Sequence, residues 1–176
     1  MSGHNKWSKI KRKKGAEDAK RSKEFSQLSK LITIASKEAS GNANAPAVRA
    51  AVERAKAVNM PAANIERAIK KGADKDAASL VATIYEAYGP GGVAIIIECL
   101  TDNPNRTLQE IKNILSKKNI ALAGQGAATW AFTKNSEGWT PTTTVELADE
   151  DGEKLAEIIE DIGEQDDVQG VFVNGV

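Results

Sequence analysis

Residues 83–100 read TIYEAYGPGGVAIIIECL, and this stretch decides the fold of the C-terminal half of the chain. Two runs rich in β-branched and aromatic residues flank the glycine- and proline-containing segment 89–92, a pattern that predicts a β-hairpin. If Tyr88 pairs with Val93, the apolar positions of both strands share one face and Glu98 lies on the opposite face. Glu86 also falls on the apolar face, so either it lies at the rim of the sheet or the register differs by one residue. Two carboxylates on opposite faces are poorly placed to act together as an acid/base pair.

Downstream of the hairpin, the pattern of apolar and turn residues predicts two helices and three further strands. Thr107 and Glu110 have the spacing of a capping box, with Thr107 as the N-cap of the first of these helices. The second helix is expected to follow the acidic run 149–151, which suits the positive end of a helix dipole. The expected strands are at residues 128–132, 142–147 and 168–173, with a turn at 135–141.

The order of these elements predicts a fold. After the extra hairpin strand it is β-α-β-β-α-β, which is typical of a ferredoxin-like α+β sandwich, here over residues 80–176. We interpret the acidic runs 149–151 and 166–167 as solubilising surface. Cys99, in a strand, is expected to be a small core residue.

Upstream of the hairpin, residues 1–75 are predicted to contain a bundle of three short helices that carries a basic arm. The first helix is expected over residues 16–39, where apolar side chains recur at steps of three, four and seven. Pro46 suits the first turn of a second helix and Pro61 that of a third, which Gly72 would end. The polar segment before residue 16 cannot fold by burial alone, so we expect a flexible arm there.

The charge of the chain is divided between its two halves. Residues 1–75 carry 18 Lys and Arg against 7 Asp and Glu, a net charge of +11, whereas residues 76–176 carry 6 against 17, a net charge of −11. Halves this unequal indicate that one end of the chain meets a polyanion, of which nucleic acid is the commonest in a cell.

The basic residues of the arm are the primary candidates for contact with nucleic acid. Lysine and arginine would hold phosphates, and Trp7 would stack or anchor the arm. A basic stripe on a helix is also often only solvated surface, and that alternative stays open for each stripe taken alone. The expected contacts are Lys6, Trp7, Lys9, Lys11, Arg12, Lys13 and Lys14 on the arm, then Lys20, Arg21 and Lys23 on the first helix.

The composition disfavours catalysis and cofactor binding. With His4 and Cys99 as its only histidine and cysteine, the chain offers no Ser-His-Asp or Cys-His pair and no ordinary zinc site. We therefore expect no catalytic residue, metal, cofactor or small-molecule substrate. The N-terminus shows no signal-peptide pattern and the longest apolar run, residues 93–97, is too short for a membrane span, so we expect a cytoplasmic protein.

Several stretches resemble the YebC/PmpR family. They are SGHNKWSKIK (2–11), Asn59-Met60, YEAYGPGG (85–92), IECLTDN (97–103), NRT (105–107), DDVQ (166–169) and Asn174-Gly175. The resemblance implies a three-helix N-terminal domain and two α+β domains, one inserted in the other. Family members are usually longer, and the shortfall falls after Phe132, so this chain resembles a short variant that lacks most of the inserted third domain.

The resemblance and the residues together leave three functions to weigh. The family is widely described as DNA-binding transcriptional regulators, while a mitochondrial relative is a translational activator and bacterial members are linked to ribosomes. The chain is therefore expected to be a nucleic-acid-binding regulator of gene expression, with a ribosome-associated factor that binds ribosomal RNA as the alternative. A protein-binding adaptor ranks last because the basic charge is so concentrated. Secondary candidate contacts are Gly89, Pro90, Gly91, Gly92 and Arg106.

Overall fold

Three helices make up the first of two units into which the chain divides, residues 1–77 and 78–176. They are α1 (His4–Glu38), α2 (Pro46–Ala57) and α3 (Ala62–Ala73). The computed structural model describes the backbone of residues 4–75, 79–135 and 138–176, and the side chains of these ranges from residue 20 onward. No helix in the described ranges combines enough length with enough apolar character to cross a membrane.

The core of the first unit is small and built mostly from aliphatic side chains. The buried residues are Ile32 from α1, Ala55 and Met60 from α2 and the turn after it, and Ile65 and Ala68 from α3. Phe25 and Leu28 pack against this cluster from α1. The predicted apolar stripe of α1 is thus confirmed in its central positions, although Leu31 is 37% exposed.

The start of α1 corrects the sequence prediction. The helix begins at His4, so the segment expected to be a flexible arm is the first part of a continuous helix of 35 residues. Lys, Arg and Ala are strong helix formers, and adding residues to an existing helix costs far less free energy than nucleating one. Burial is therefore not needed to extend the helix into the basic segment.

Helices α1 and α3 approach each other closely at Gly72. A Cβ added at Gly72 would lie 2.7 Å from Ser36 Cβ and would also overlap the Thr33 carbonyl oxygen. Beside it, Ser36 Oγ donates to the Ile69 carbonyl at 2.7 Å and Thr33 Oγ1 donates to the Ala68 carbonyl at 3.3 Å. Gly72 was expected to end α3, but it lies inside the helix and is buried, so its function is to allow this contact.

We expect Gly72→Ala to destabilise the first unit by about 1–3 kcal/mol, because the added methyl group overpacks the contact with α1. Alanine would otherwise favour a helix over glycine by up to about 1 kcal/mol. Gly152 provides the control, because a Cβ there meets no atom within 4 Å and Gly152→Ala should therefore raise stability. Urea unfolding followed by circular dichroism measures both, and equal effects of the two substitutions would contradict the packing argument.

The second unit confirms the α+β class and the predicted order of helices and strands, but its strands form a three-stranded sheet and a separate two-stranded ribbon instead of the single sheet of a ferredoxin-like sandwich. Its elements are β1 (Val81–Tyr88), β2 (Ala94–Thr101), α4 (Pro104–Lys117), β3 (Phe132–Asn135), β4 (Gly138–Pro141), α5 (Asp149–Gly163) and β5 (Val168–Val173). The strands β1, β2 and β5 form an antiparallel sheet in that order, and β3 pairs with β4 as a separate ribbon. The antiparallel β1–β2 pair is the predicted hairpin.

The three-stranded sheet has an apolar core on each face. On one face, Ile95 and Ile97 pack with Ile111 of α4 and with Leu155 and Ile158 of α5. Cys99 is buried in this core, as predicted. On the other face, Ala94 and Ile96 pack against residues 128–132 and the β3–β4 ribbon. Helix α5 therefore covers one face of the sheet, and the segment before β3 covers the other.

The register of the hairpin differs from the predicted one by a single residue. Tyr88 pairs with Ala94 rather than Val93, because Pro90–Gly92 forms a 3-10 turn and Val93 closes it through a Gly89 N–H bond to the Val93 carbonyl. A shift of one residue moves side chains to the opposite face. Glu86 and Glu98 consequently lie on the same face, away from α4 and α5.

The two middle strands lie elsewhere than predicted. Residues 129–131 form a 3-10 turn, and β3 begins only at Phe132. Its partner β4 occupies much of the expected 135–141 turn, of which residues 136–137 lie outside the described residues. The segment 142–147, expected to be a strand, makes only the isolated parallel bridge between Val145 and Gly175.

Candidate nucleic-acid interface

All ten primary candidates lie on α1. Lys6, Trp7, Lys9, Lys11, Arg12, Lys13 and Lys14 are in its first part, where side chains lie outside the described residues. Lys20 and Arg21 are exposed, and Lys23 is half-buried. Lys6 and Lys23 are separated by about 26 Å at 1.5 Å per residue. The structure thus places the candidates on one continuous helix.

The basic positions surround this part of α1. At 100° per residue, the Cα atoms of the nine lysines and arginines from Lys6 to Lys23 leave a gap of only about 100° around the helix axis. A helix that packs one face on an apolar core keeps charge off that face. The N-terminal part of α1 therefore lacks the wide apolar face of a packed helix, and contact of its charges with a polyanion stays a prediction.

Most of the other basic residues of the first unit lie on its two short helices, while Lys30 and Lys37 lie further along α1. Arg54 and Lys56 are near the C-terminus of α2, and Lys70 and Lys71 are near that of α3, where positive charge is favoured by the helix dipole. Lys56 Nζ lies 3.4 Å from Glu53 Oε1, with both side chains mostly exposed. A stabilising function within the unit accounts for these residues, so they form a weaker candidate surface than α1.

The glycine turn, a secondary candidate, is part of the second unit's packing. Gly91 and Gly92 have positive φ angles of 66° and 79°, a conformation that favours glycine. A Cβ at Gly91 would lie 2.5 Å from Leu147 Cδ2, whereas one at Gly92 would meet nothing within 4 Å. The turn is therefore explained by its conformation, and its contact with nucleic acid stays a prediction.

Arg106 is bound within its own unit. Its Nη2 atom lies 3.0 Å from both Asp102 Oδ1 and Asp167 Oδ2. The hydrogen bond to Asp167 is the main cause that raises the pKa of the guanidinium, followed by the charge of Asp167. A phosphate at Arg106 would compete with these carboxylates, which makes Arg106 a weaker candidate than the lysines of α1.

The residues around Arg106 and Asp167 show that two sequence predictions are wrong. Thr107 is not the N-cap of α4: Asn103 caps the helix, and Thr107 Oγ1 donates to Asp167 Oδ2 at 2.8 Å. Asp167 was interpreted as solubilising surface but is only 3% exposed. It needs its partners because an unpaired buried carboxylate is very costly.

Several other cations of the second unit are bound to carboxylates. Lys154 Nζ lies 2.7 Å from Glu150 Oε1, a hydrogen bond that lowers the pKa of Glu150 and raises the pKa of Lys154. Lys118 Nζ lies 3.1 Å from both Glu157 and Asp161, which raise its pKa. Within the part of the chain that the structure describes, no three His, Cys, Asp or Glu side chains group to hold a metal ion. The second unit therefore offers a polyanion little positive charge.

The buried carboxylate of Glu86, to which the sequence analysis gave no structural function, organises the loop before β3. Glu86 is 4% exposed, and its two oxygens accept hydrogen bonds from the backbone N–H groups of Gly126 at 2.6 Å, Ala128 at 2.6 Å and Thr129 at 3.0 Å. These N–H groups are thereby not available for strand pairing, which explains why a turn replaces the predicted strand. The available signal was a glutamate among apolar positions of a strand.

The loop held by Glu86 presents an exposed indole. Trp130 is 62% exposed, and its Nε1 donates to Tyr88 Oη at 3.0 Å, while that hydroxyl donates to the Ala127 carbonyl. Residues 124–126 and Thr129 of the loop also line a groove of about 1130 Å³ along β1. Sequence analysis assigned no function to Trp130.

Comparisons with known proteins identify both units. The family described as "TACO1/YebC protein N-terminal domain" matches residues 5–75, and "TACO1/YebC second and third domain" matches residues 80–137. A probable transcriptional regulatory protein of Geobacter sulfurreducens is 49% identical over 168 residues, which are 94% of this chain and 66% of that protein. One of Kosmotoga olearia with the same description is 45% identical over 172 residues, 95% of this chain and 68% of that protein.

A solved structure is similar as well. The crystal structure of a conserved hypothetical protein from Aquifex aeolicus matches with a TM-score of 0.81 and 28% identity, covering 90% of this chain and 91% of that one. The chain spans about two thirds of the length of the Geobacter relative and 61% of a similar protein of Petrotoga mobilis. Both units and the curated relatives give the same answer: the chain belongs to the TACO1/YebC family.

Proposed function

We propose that this chain is a non-catalytic, cytoplasmic regulator of gene expression that binds nucleic acid through the N-terminal part of α1. The observation that supports the proposal is the run of nine lysines and arginines, Lys6 to Lys23, on one uninterrupted helix. In the second unit Arg106, Lys118 and Lys154 are each paired with carboxylates. A polyanion is therefore expected to bind the first unit. The relatives from Geobacter and Kosmotoga, named probable transcriptional regulatory proteins, agree with this function.

Duplex DNA is the first substrate to test. An α-helix is about 10–12 Å across with its side chains, and the major groove of B-DNA is about 12 Å wide. The basic segment of α1, as a helix, therefore has the dimensions to enter the major groove. Lysines give affinity through phosphates and little sequence preference, so the expected binding is tight at low salt and weakly specific.

Structured RNA is the second substrate, and the distribution of charge around α1 favours it. A helix in an open groove faces phosphates on its flanks, whereas a helix with cations nearly all round suits a crevice enclosed by folded RNA. This observation supports a ribosome-associated translation factor as the alternative function.

Salt titration of the full chain against duplex DNA and against ribosomes tests the proposal. If about six phosphates are engaged, affinity should fall about a thousandfold between 50 and 200 mM salt. Retention on ribosomes together with only weak, sequence-independent DNA binding would exclude transcriptional regulation in favour of the alternative. Absence of binding to either substrate at 50 mM salt would overturn the proposed function.

A further inference from the structure

Trp130 and Tyr88 form a pair of exposed aromatic rings on the second unit. Their exposures are 62% and 39%, and both belong to the few large apolar or aromatic side chains at the surface of the described residues. The bond from Trp130 Nε1 to Tyr88 Oη uses the only hydrogen-bond donor of the indole. What the indole offers a ligand is therefore its ring surface.

The backbone of residues 126–129, next to these two rings, is held in place by hydrogen bonds with Glu86 and Tyr88. Glu86 fixes Gly126, Ala128 and Thr129 through its buried carboxylate, and the Tyr88 hydroxyl fixes Ala127. Because these hydrogen bonds already order the loop, it loses little conformational entropy when a ligand binds. An exposed tryptophan on a pinned loop is thus pre-organised for binding.

The electrostatic surroundings of the pair differ from those of the rest of the unit. The acidic helix α5 packs on the face of the sheet that holds Ile95 and Ile97. Tyr88, Glu86 and Glu98 belong to the other face, where Glu86 accepts hydrogen bonds from three backbone N–H groups and Glu98 pairs with Lys134 Nζ at 2.8 Å. The sheet therefore separates the α5 carboxylates from the aromatic pair, which lowers the repulsion that a polyanion would meet there.

We propose that Trp130, held by Tyr88, is a stacking platform for one unpaired base of single-stranded nucleic acid. Every base has a π-face, so a tryptophan without a free donor stacks bases with little sequence preference. The groove of about 1130 Å³ lined by the same loop has room for the sugar and phosphate of adjoining nucleotides. This inference rests on the proposed function, and it adds a second contact, on the unit whose net charge is negative.

Fluorescence of Trp130 tests the platform directly. In a Trp7→Phe/Trp139→Phe background, Trp130 is the only tryptophan of the chain. We expect a twelve-residue oligothymidylate to quench its emission, and a strand of equal length and charge made of abasic sites not to. Trp130→Ala should weaken oligothymidylate binding roughly five- to hundredfold, with an unchanged salt dependence, and Trp130→Phe should retain most of the affinity.

The outcomes separate this inference from the proposed function. Wild-type affinity in Trp130→Ala, with binding through α1 intact, would overturn the platform and leave the proposed function standing. Quenching by the abasic strand, or by a proline-rich peptide in place of the oligonucleotide, would also overturn it. Absence of binding to any nucleic acid would overturn both. The far-UV circular dichroism and urea midpoint of each variant show that lost affinity is not lost folding.

Discussion

Replacing Glu86 with glutamine is expected to lower the free energy of unfolding of the second unit by about 3–5 kcal/mol. The carboxylate accepts three backbone N–H bonds at 2.6–3.0 Å, and a bond to a charged group contributes about 1.5–3 kcal/mol. Glutamine keeps the shape but turns one acceptor oxygen into an N–H₂ group that faces backbone donors. At least one buried N–H is then left without an acceptor.

Glu98→Gln is the matched control for this substitution. Glu98 lies on the neighbouring strand and the same sheet face, and its Oε1 accepts from Lys134 Nζ at 2.8 Å and Trp139 Nε1 at 2.9 Å. Both partners are side chains that can move, and the amide oxygen of glutamine can still accept from them. We expect a loss of about 1 kcal/mol or less from this half-buried, partly solvated pair.

Urea unfolding followed by far-UV circular dichroism, in the chain with its native tryptophans, measures both losses, because Trp139→Phe would remove a partner of Glu98. For Glu86→Gln, Trp130 emission in the single-tryptophan background also reports whether the loop loosens before the unit unfolds, as a separate early change in emission. Equal losses for the two glutamine variants would contradict the assignment of Glu86 as the residue that holds the loop.

The sequence predicts those parts of the fold that depend on local patterns. The hairpin at 83–100, the helices that bury Ile111 and Leu155, and the closing strand at 168–173 follow from apolar spacing and turn residues. Each of these signals is carried by residues within about ten positions of one another. The α+β class follows from their order.

What the sequence does not predict depends on partners far along the chain. Glu86 meets its N–H donors 40 to 43 residues later, and Asp167 meets Thr107 60 residues earlier. No local spacing shows which buried carboxylate finds such partners. The hairpin register was missed for a smaller reason: the 3-10 turn at Pro90–Gly92 makes Val93 part of the turn, where its carbonyl accepts from Gly89 N–H, and this shifts the strand by one residue.

The candidate site was predicted in composition but not in conformation. The basic residues and Trp7 were identified from charge, whereas the continuous helix that carries them was not, because low apolar content was interpreted as absence of structure. Trp130 gave no sequence signal, since an isolated tryptophan near a strand is usually buried. The stacking function proposed for Trp130 rests on its exposure, which is known only from the fold.

The largest functional effect is expected from replacing the six basic residues Lys6, Lys9, Lys11, Arg12, Lys13 and Lys14 with glutamine. Glutamine has nearly the helix propensity of lysine, so α1 should be retained while six charges are removed. If each charge engages one phosphate, the slope of log affinity against log salt should fall by about 4 to 5. Affinity at 50 mM salt should fall by at least about a thousandfold.

A second variant distinguishes a site on α1 from general attraction to a basic unit. The first unit also carries six basic residues on its short helices, and replacing them with glutamine removes an equal number of charges: Arg49, Arg54, Lys56, Arg67, Lys70 and Lys71. We expect this variant to lose less than tenfold in affinity and to keep most of the salt slope, because the proposed site is on α1 and four of the six, Arg54, Lys56, Lys70 and Lys71, lie where positive charge stabilises a helix C-terminus. Equal losses in the two variants would show that net charge, and not the helix that begins at His4, holds the nucleic acid.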